Sequence, residues 1–278
     1  MNKSKQIYQT NTTKLYNIDC IELMNILPDN YVDLIITDPP YNIGKDFGND
    51  SDKMLLNDYL DITYKRLEEC KRVLKENGNI IWFASHNYVG YIQVMMYELG
   101  FIYQRQNIWH YENGMSRQSK TPVGEYEPFL WFSKSENDWV YNIDDVRVPY
   151  KSERVKNPVY KKNSKGELKA WTPNPNGRKR GDVWKFPVLA GKLYENEKTK
   201  HPTQKSESLI TEIIKAFCPK NKDNMYEGIV FDLFVGSGTT LSCCEKLNKQ
   251  GHNIKSFGSE LSSEYCNEII IPRLNIIK

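Results

Sequence analysis

The chain has few cysteines and no long hydrophobic run, and each absence excludes a class of protein. Six cysteines occur among 278 residues and none forms a CxxC pair, so neither a disulfide scaffold nor a cysteine zinc site is expected. No apolar stretch approaches the length of a membrane span, and Met1–Thr10 lacks the apolar core of a signal peptide. The sequence therefore predicts one globular domain, or one domain with an insert, in a reducing cytoplasm without a membrane partner.

Positive charge is concentrated in one part of the chain. The formal net charge is only +3, yet the segment from Arg147 to Lys205 contains 16 lysines and arginines against five acids. That local charge of +11 leaves −8 for the remaining residues. A basic segment in an otherwise acidic protein is typical of a surface that binds a polyanion, and a solvated lysine-rich loop is the alternative.

Short β-branched runs alternate with longer amphipathic segments, which is the pattern of α/β architecture. The predicted strands are Lys14–Ile18, Val32–Thr37, Asn79–Phe83, Ile102–Trp109, Pro128–Phe132, Gly228–Phe234 and Asn253–Gly258. The predicted helices are Leu55–Lys75, Asn87–Leu99, Thr240–Lys249 and Ser262–Leu274. We therefore expect a doubly wound, mostly parallel sheet of seven strands.

Residues 142–200 interrupt this alternation. The segment contains five prolines and repeated lysines and arginines, without a sustained hydrophobic period. A compact domain seldom keeps so long an irregular segment without a function. Its aromatic residues, among them Trp171, Trp184 and Phe186, argue against simple disorder. We interpret it as an inserted recognition element.

The most specific motif is Asp38-Pro39-Pro40-Tyr41, which directly follows the apolar run VDLIIT. In an open α/β sheet, ligands bind beyond the carboxyl ends of the strands, so this tetrapeptide lies where a site is expected. The prolines fix the backbone and remove two N–H donors, which leaves carbonyl acceptors beside a carboxylate and an aromatic ring. The set suits an exocyclic amino group on a planar heterocycle. A simple strand-ending turn is the alternative.

A second motif surrounds a glycine turn. The strand GIVFDLF leads into Gly236-Ser237-Gly238 and then into a predicted helix, and glycine allows a ligand to approach the backbone closely. The motif is not the dinucleotide-binding GxGxxG, because Leu241 occupies the third glycine position. Glu260 follows the next strand, where an acid can hold ribose hydroxyls. Together these features indicate an adenosine-binding unit.

These motifs resemble those of β-class DNA methyltransferases, which methylate amino groups of bases with S-adenosylmethionine. DPPY (Asp38–Tyr41), HPTQK (His201–Lys205) and the FxGxGTT block (Phe234–Thr240) stand in the β-class order, and HPTQKS departs from the usual HPTQKP at Ser206. The resemblance covers essentially the whole chain. It extends to the stretches GEYEPFLWFSKS and NPNGRKRGDVW, which are similar to those of the enzymes around the MboII methyltransferase.

The resemblance implies a circularly permuted, Rossmann-like fold. Residues 1–141 would form the catalytic half, residues 142–200 an inserted target-recognition region, and residues 201–278 the half that binds S-adenosylmethionine. No metal is implied. The expected cofactor-binding residues are Asp19, Cys20, Asp38, His201, Thr203, Gln204, Lys205, Asp232, Phe234, Gly236, Ser237, Gly238, Thr239 and Glu260. Among these, Asp19 also reads as a helix N-cap, and Lys205 could pair with the methionine carboxylate.

By the same resemblance, the reaction is methyl transfer to N6 of an adenine that is flipped out of the DNA duplex. Asp38 and the Pro39 carbonyl would accept hydrogen bonds from N6, Pro40 would hold the turn, and Tyr41 would stack on the base. S-adenosylhomocysteine would be the product. The expected DNA contacts are Arg147, Lys151, Arg178, Lys179 and Arg180. The loop Asn42–Asp52 would close over the base or serve as an ordinary surface loop.

Several alternatives remain at this point. Methylation of cytosine N4 is the nearest, although those enzymes tend toward Ser-Pro-Pro-Tyr. A cytosine C5 enzyme is excluded because the chain has no Pro-Cys dipeptide. A glutamine methyltransferase would present Asn-Pro-Pro-Tyr after the cofactor motif, and a silent DNA-binding module would not need Asp38 and Tyr41. A homodimer and a separate restriction endonuclease are the protein partners consistent with the class.

Overall fold

A nine-stranded mixed sheet runs through the computed structural model, which describes residues 5–45, 52–112, 120, 122–153, 157 and 159–277. The strands of the sheet are β1 (Gln6–Gln9), β2 (Thr13–Tyr16), β3 (Val32–Thr37), β4 (Leu74–Phe83), β5 (Ile102–His110), β6 (Tyr126–Ser133), β9 (Val183–Lys185), β10 (Glu227–Asp232) and β11 (Asn253–Ser259). A separate hairpin consists of β7 (Val159–Lys162) and β8 (Leu168–Trp171).

The order across the sheet is β1-β2-β11-β10-β3-β4-β6-β5-β9. The five adjacent strands from β2 to β4 are parallel to one another, whereas β1 runs antiparallel to β2, and β6 runs antiparallel to both β4 and β5. All seven predicted strands are present. The edge strands β1 and β9 are additional, so the expected number of seven was too low. Both are short, four and three residues, which gives them little sequence signal.

The helices are α1 (Cys20–Met24), α2 (Leu56–Val73), α3 (Val89–Glu98), α4 (Glu207–Phe217), α5 (Thr239–Asn248), α6 (Ser263–Tyr265) and α7 (Ile271–Ile277). A π-helical turn, Cys266–Ile270, joins the last two, and a 3-10 turn covers Lys192–Tyr194. The four predicted helices are present within a few residues. Helix α2 is shorter than predicted, because Leu74 adopts an extended backbone and begins β4.

Helix α4 is absent from the predicted helices, although the sequence carries its signals. The Ser206 side chain caps it by accepting a hydrogen bond from the Leu209 N–H. Its buried positions recur at helical spacing: Leu209, Ile210, Ile213, Ile214 and Phe217. The helix packs against α5, so the segment that follows HPTQK is held against the helix that follows the glycine turn.

The core lies on both faces of the sheet. All six residues of β3 are buried, which explains why its sequence is mostly apolar and does not alternate between apolar and polar residues. Its one acid, Asp33, accepts hydrogen bonds from Lys75 Nζ and the Ile229 N–H, each at 2.8 Å. Among the described residues, none of the helices has the length and apolar character that crossing a membrane requires.

Residues 142–200 are anchored to the core at several points. Asn142 donates hydrogen bonds to the carbonyls of Ala216 and Cys218 at the end of α4. Trp184 is buried against Phe129, with ring centroids 5.6 Å apart, and its strand β9 extends the main sheet beside β5. The segment is therefore joined to the central domain and shares its hydrophobic core.

Gly258 of β11 lies where the ends of neighbouring strands pack closely, so its replacement tests that packing. A Cβ on Gly258 would overlap the Val235 side chain and lie 2.6 Å from the Asp232 carbonyl oxygen. We expect Gly258→Ala to lower the free energy of unfolding by about 1–3 kcal/mol, because the core there has no space. Urea denaturation monitored by fluorescence measures the change.

The matched control is Gly90→Ala. Gly90 lies in α3, and a Cβ there meets nothing within 4 Å. Alanine should stabilise this helix by about 0.5–1 kcal/mol. A Gly258→Ala variant as stable as the wild type would contradict the packing described here.

Candidate active site

Five parallel strands end at the same edge of the sheet, and each is followed by residues that line one cavity. Asp38 follows β3, Ser85 follows β4, Asp232 ends β10, Glu260 follows β11 and Asp19 follows β2. The chain order of the central strands reverses between β10 and β3, which is where open α/β sheets form their ligand crevices. The cavity has a volume of about 810 Å³, enough for a cofactor-sized ligand.

The DPPY tetrapeptide lies in the wall of this cavity. The Tyr41 hydroxyl is 2.6 Å from Asp38 Oδ1 and 3.0 Å from Oε2 of Glu127, and Pro39 and Pro40 line the same wall. Because a phenol has one proton for two carboxylate acceptors, Tyr41 is held between them. Burial raises the pKa of the Tyr41 hydroxyl well above its ordinary value, and the two carboxylates raise it further, so the hydroxyl stays protonated.

Lys205 brings a positive charge to the same cluster. Its Nζ is 2.6 Å from Asp38 Oδ2 and 3.1 Å from Glu127 Oε2, and its side chain is only 6% exposed. Burial acts to lower the pKa of Lys205, but the two carboxylates outweigh it, and the net result is a raised pKa. The ammonium group is therefore charged wherever both carboxylates are ionised.

The glycine turn is closed by an acid. Gly236 has a positive φ of 53°, and its N–H donates to Glu260 Oε2 at 2.9 Å. A Cβ on Gly236 would lie 2.9 Å from His201 Nε2, so only glycine leaves room for the histidine ring. Burial raises the pKa of Glu260, although hydrogen bonds from the backbone N–H groups of Ser262, Gly236 and Leu261 oppose the shift.

Asp232 is the most strongly perturbed acid of the cavity. Its carboxylate accepts hydrogen bonds from the Thr240 hydroxyl at 2.7 Å and the Phe234 N–H at 3.1 Å. Burial nevertheless raises its pKa to about 8, and the negative charges of Asp38 and Glu260 contribute to that shift. The charge of Asp38 on the DPPY wall and the charge of Glu260 at the glycine turn therefore both act on Asp232.

Asp19 and Cys20 line the cavity where β2 leads into α1. The Asp19 side chain accepts from the Ile21 N–H at 2.8 Å, so its role as helix N-cap is present in the structure together with its place in the cavity wall. Burial raises the pKa of the Cys20 thiol to about 11, which keeps it uncharged.

The structure brings together most of the residues expected at the cofactor site. His201, Thr203, Lys205, Phe234, Ser237 and Thr239 all line the cavity with the residues already described. Two do not. The Gln204 amide accepts from the Thr199 N–H and donates to the Glu197 carbonyl, so it stabilises its own loop. Gly238 has a φ of 78° and packs against Ile270, away from the lining.

Two further residues that line the cavity, Glu127 and Arg66, are not among the site residues expected from the sequence. Glu127 is the second residue of β6, and its position opposite Trp109 of β5 directs it to Lys205. Arg66 lies on α2, 8% exposed, with its guanidinium 4.8 Å from the centre of the Phe234 ring. Glu127 lies within the stretch GEYEPFLWFSKS, but no role was expected for it, and Arg66 belongs to none of the motifs, so their place in the cavity emerges from the tertiary structure.

The loop that follows DPPY is partly described. Asp52 is buried, and its carboxylate accepts from the backbone N–H groups of Asn42 at 2.5 Å and Lys45 at 2.7 Å. Both ends of the predicted loop Asn42–Asp52 are thereby tied together. Residues 46–51 lie outside the described residues, and with them the expected closure of the loop.

The five basic residues expected at DNA fall into two groups. Arg147 bonds to Asp144 at 2.6 Å and Arg180 to Glu212 at 2.6 Å, and both arginine side chains are only 12% exposed. These two arginines are therefore ion-paired within the protein, and their contact with DNA stays a prediction. Lys179 is exposed, and Lys151 and Arg178 line a shallow cavity of about 360 Å³ that also contains His110 and Lys185.

The partly buried imidazole of His201 predicts a stability that depends on pH. Burial, with Lys205 and Lys45 nearby, lowers the pKa of His201 to about 4. Between about pH 6.5 and pH 4, His201 therefore binds a proton in the unfolded chain but not in the folded chain. The free energy of unfolding is unaffected by this group above about pH 6.5 and decreases as the pH falls from there toward 4. The variant His201→Gln lacks this titrating group, so its free energy of unfolding should decrease less on acidification than that of the wild type, by at most about 3 kcal/mol. Urea unfolding of both proteins at pH 7.5 and 4.5 measures it, and an unchanged difference between the two pH values would contradict the prediction.

Comparison with known proteins places this chain in a family. The type II methyltransferase M.HpaI of Haemophilus parainfluenzae is 35% identical over 250 residues, which cover 89% of this chain and 69% of that protein. M1.MboII of Moraxella bovis is 33% identical over 262 residues, covering 92% and 94%. The DNA adenine methyltransferase YhdJ of Escherichia coli strain K12 is 30% identical over 250 residues, covering 89% and 78%.

Solved structures show the same fold. The complex of M1.HpyAVI with S-adenosylmethionine superposes with a TM-score of 0.62 at 26% identity, over 95% of this chain and 99% of that chain. The PvuII methyltransferase, which is described as cytosine-N4-specific, superposes with a TM-score of 0.67 at 17% identity, over 98% and 95%, and is a likeness of fold alone. The N6_N4_Mtase family, described as DNA methylase, matches residues 32–271. That match runs from the DPPY strand through the glycine turn, and the chain belongs to this family of DNA methyltransferases.

Proposed function

We propose that this DNA methyltransferase transfers a methyl group from S-adenosylmethionine to adenine N6 at specific DNA sites, as the modification enzyme of a restriction–modification system. The observation that carries the proposal is the Asp38–Tyr41–Lys205 cluster, which lies beside the glycine turn in the same cavity. The acceptors for an amino group and a cofactor-sized space are thus adjacent.

The residues of the cavity fit S-adenosylmethionine. Gly236 provides the close backbone approach, Glu260 lies where an acid can hold the ribose hydroxyls, and Phe234 offers an apolar surface. Asp19 and Cys20 would border the adenine of the cofactor. Bound there, the cofactor supplies a methyl group that its sulfonium centre activates. His201, Thr203, Ser237, Thr239 and Asp232 complete the proposed cofactor wall.

The DPPY residues act on the target base. The N6 lone pair of adenine is delocalised into the ring, so the amino group is a poor nucleophile. Hydrogen bonds to the Asp38 carboxylate and the Pro39 carbonyl would draw N6 toward a pyramidal geometry and localise that pair. Pro40 fixes the turn, and Tyr41, whose hydroxyl is held by Asp38, would present its ring to the flipped base.

The choice of adenine rests on Asp38. A carboxylate accepts more strongly than the serine hydroxyl that is typical of cytosine-N4 enzymes, and the relative YhdJ is described as a DNA adenine methyltransferase. Cytosine N4 remains the second candidate, because the same acceptors suit its amino group and the PvuII enzyme shares the fold.

DNA would lie across the basic segment of residues 142–200. We assign the phosphate contacts to Lys151, Arg178 and Lys179, which remain accessible, and not to the neutralised Arg147 and Arg180. In this proposal residues 1–141 supply the catalytic wall and residues 201–278 the cofactor wall. A homodimer and a separate cognate endonuclease remain predictions from the class.

Replacement of Asp38 tests the site. Asp38→Ala should lower methyl transfer at least about 100-fold, because it removes the acceptor that polarises N6. Binding of S-adenosylmethionine, measured by calorimetry, should persist. The control is Asp223→Ala, an exposed turn residue far from DPPY in sequence. Unchanged transfer by Asp38→Ala would refute the assignment.

The base itself is identified by chemical analysis. Incubation of the wild type with labelled S-adenosylmethionine and mixed DNA, followed by digestion to nucleosides, should yield label in N6-methyldeoxyadenosine. Label in N4-methyldeoxycytidine would retain the family and overturn the adenine assignment. Label in neither nucleoside would contradict the proposed reaction.

The salt dependence of DNA binding separates contact residues from structural ones. Lys151→Ala with Lys179→Ala should weaken DNA binding and lower the slope of log K against log salt by about one for each phosphate that the variant no longer neutralises. Arg180→Ala should instead lower thermal stability, because it leaves Glu212 without this arginine partner. Fluorescence anisotropy at several salt concentrations measures the slopes, and equal slopes for wild type and double variant would contradict the assignment.

A further inference from the structure

Three charged groups and one phenol form a closed cluster beside the target-base site. Lys205 Nζ lies 2.6 Å from Asp38 and 3.1 Å from Glu127, and the Tyr41 hydroxyl contacts the same two carboxylates. Lys205 is 6% exposed, whereas Asp38 and Glu127 are 24% and 27% exposed and line the cavity. The positive charge is therefore enclosed, and the two negative charges face the space that a ligand would fill.

Glu127 changes the balance of charge in this cluster. An isolated ion pair between Lys205 and Asp38 would have no net charge. Its ammonium group would draw electron density away from the one carboxylate that contacts the base. With Glu127 the cluster has two negative charges and one positive charge. Glu127 lies on β6 opposite Trp109 of β5, and from Phe129 onward the same strand also pairs with β4.

The charge matters because methyl transfer creates positive charge at the base. The bond between adenine N6 and the methyl carbon forms as the carbon–sulfur bond breaks, and the sulfur keeps that electron pair. N6 then has one proton in excess, which passes to the Asp38 carboxylate. A net negative cluster stabilises the developing charge on N6, because charges interact more strongly in a partly buried site than in bulk water.

We propose that Glu127 is a positioning residue of this methyltransferase, whose negative charge shares Lys205 with Asp38 and so leaves Asp38 able to polarise the target amino group. The inference rests on the proposed function, since it requires an amino group of a base at Asp38. It adds a residue outside DPPY, HPTQK and the glycine turn to the reacting cluster.

Two substitutions separate charge from shape. Glu127→Gln keeps the length and removes the charge, whereas Glu127→Asp keeps the charge and shortens the side chain. If the charge is what matters, Glu127→Gln should lower the single-turnover rate of methylation about 10- to 100-fold, with Glu127→Asp within about tenfold of the wild type. A residue that serves only packing should give the reverse order. The dissociation constant of S-adenosylmethionine should change little in either variant.

Glu125→Gln is the matched control, because Glu125 is exposed, lies two residues away and does not line the cavity. Thermal unfolding verifies that each variant is folded. Glu127→Gln with the rate of Glu125→Gln would overturn the inference. Where the glutamine variant does not fold, Glu127→Asp decides alone, and a loss above about tenfold with intact cofactor binding would overturn the inference as well. An inactive wild type would refute the proposed function instead, so the two failures are distinguishable.

Discussion

The ion pair between Lys205 and Asp38 joins two parts of the chain that are 167 residues apart in sequence. It connects the HPTQK segment, which precedes α4, to the DPPY turn at the end of β3. A buried ammonium is costly unless carboxylates surround it, so the pair holds only where the β3, β6 and HPTQK segments meet correctly. The geometry of the cavity thus depends on the same contact that sets its charge.

The wall of the cavity that contains the glycine turn depends on packing and on hydrogen bonds to backbone groups. Glu260 receives the Gly236 N–H, and Asn17 donates to the Glu260 carbonyl, so the ends of β10, β11 and β2 are tied together. The permuted order of the chain explains why a residue near the amino terminus contacts this wall, whose other residues in this network come after residue 200. Parallel strands make this possible, because their carboxyl ends meet at one edge.

The basic segment illustrates how charge in a sequence divides into structural and accessible parts. Arg180 lies over the Trp184 ring at 4.7 Å and pairs with Glu212, so it stabilises the attachment of the segment. Lys179, its neighbour in sequence, remains exposed. Net charge predicts that a surface for a polyanion exists, but the choice of contact residues requires the positions of the acids that neutralise some of the arginines.

The sequence by itself determined the seven main strands, the α/β class, the DPPY and glycine-turn motifs and the family to which they point. These features depend on local hydrophobic periods and on short runs of neighbouring residues, so they can be recognised without coordinates. Only the tertiary structure decided that Glu127 and Arg66 belong to the cavity, that Gln204 and Gly238 lie outside its lining, and that Arg147 and Arg180 form ion pairs with nearby acids. The reason is physical: burial and ion pairing depend on which strands and helices become neighbours, and residues far apart in sequence acquire these contacts only when the sheet has formed.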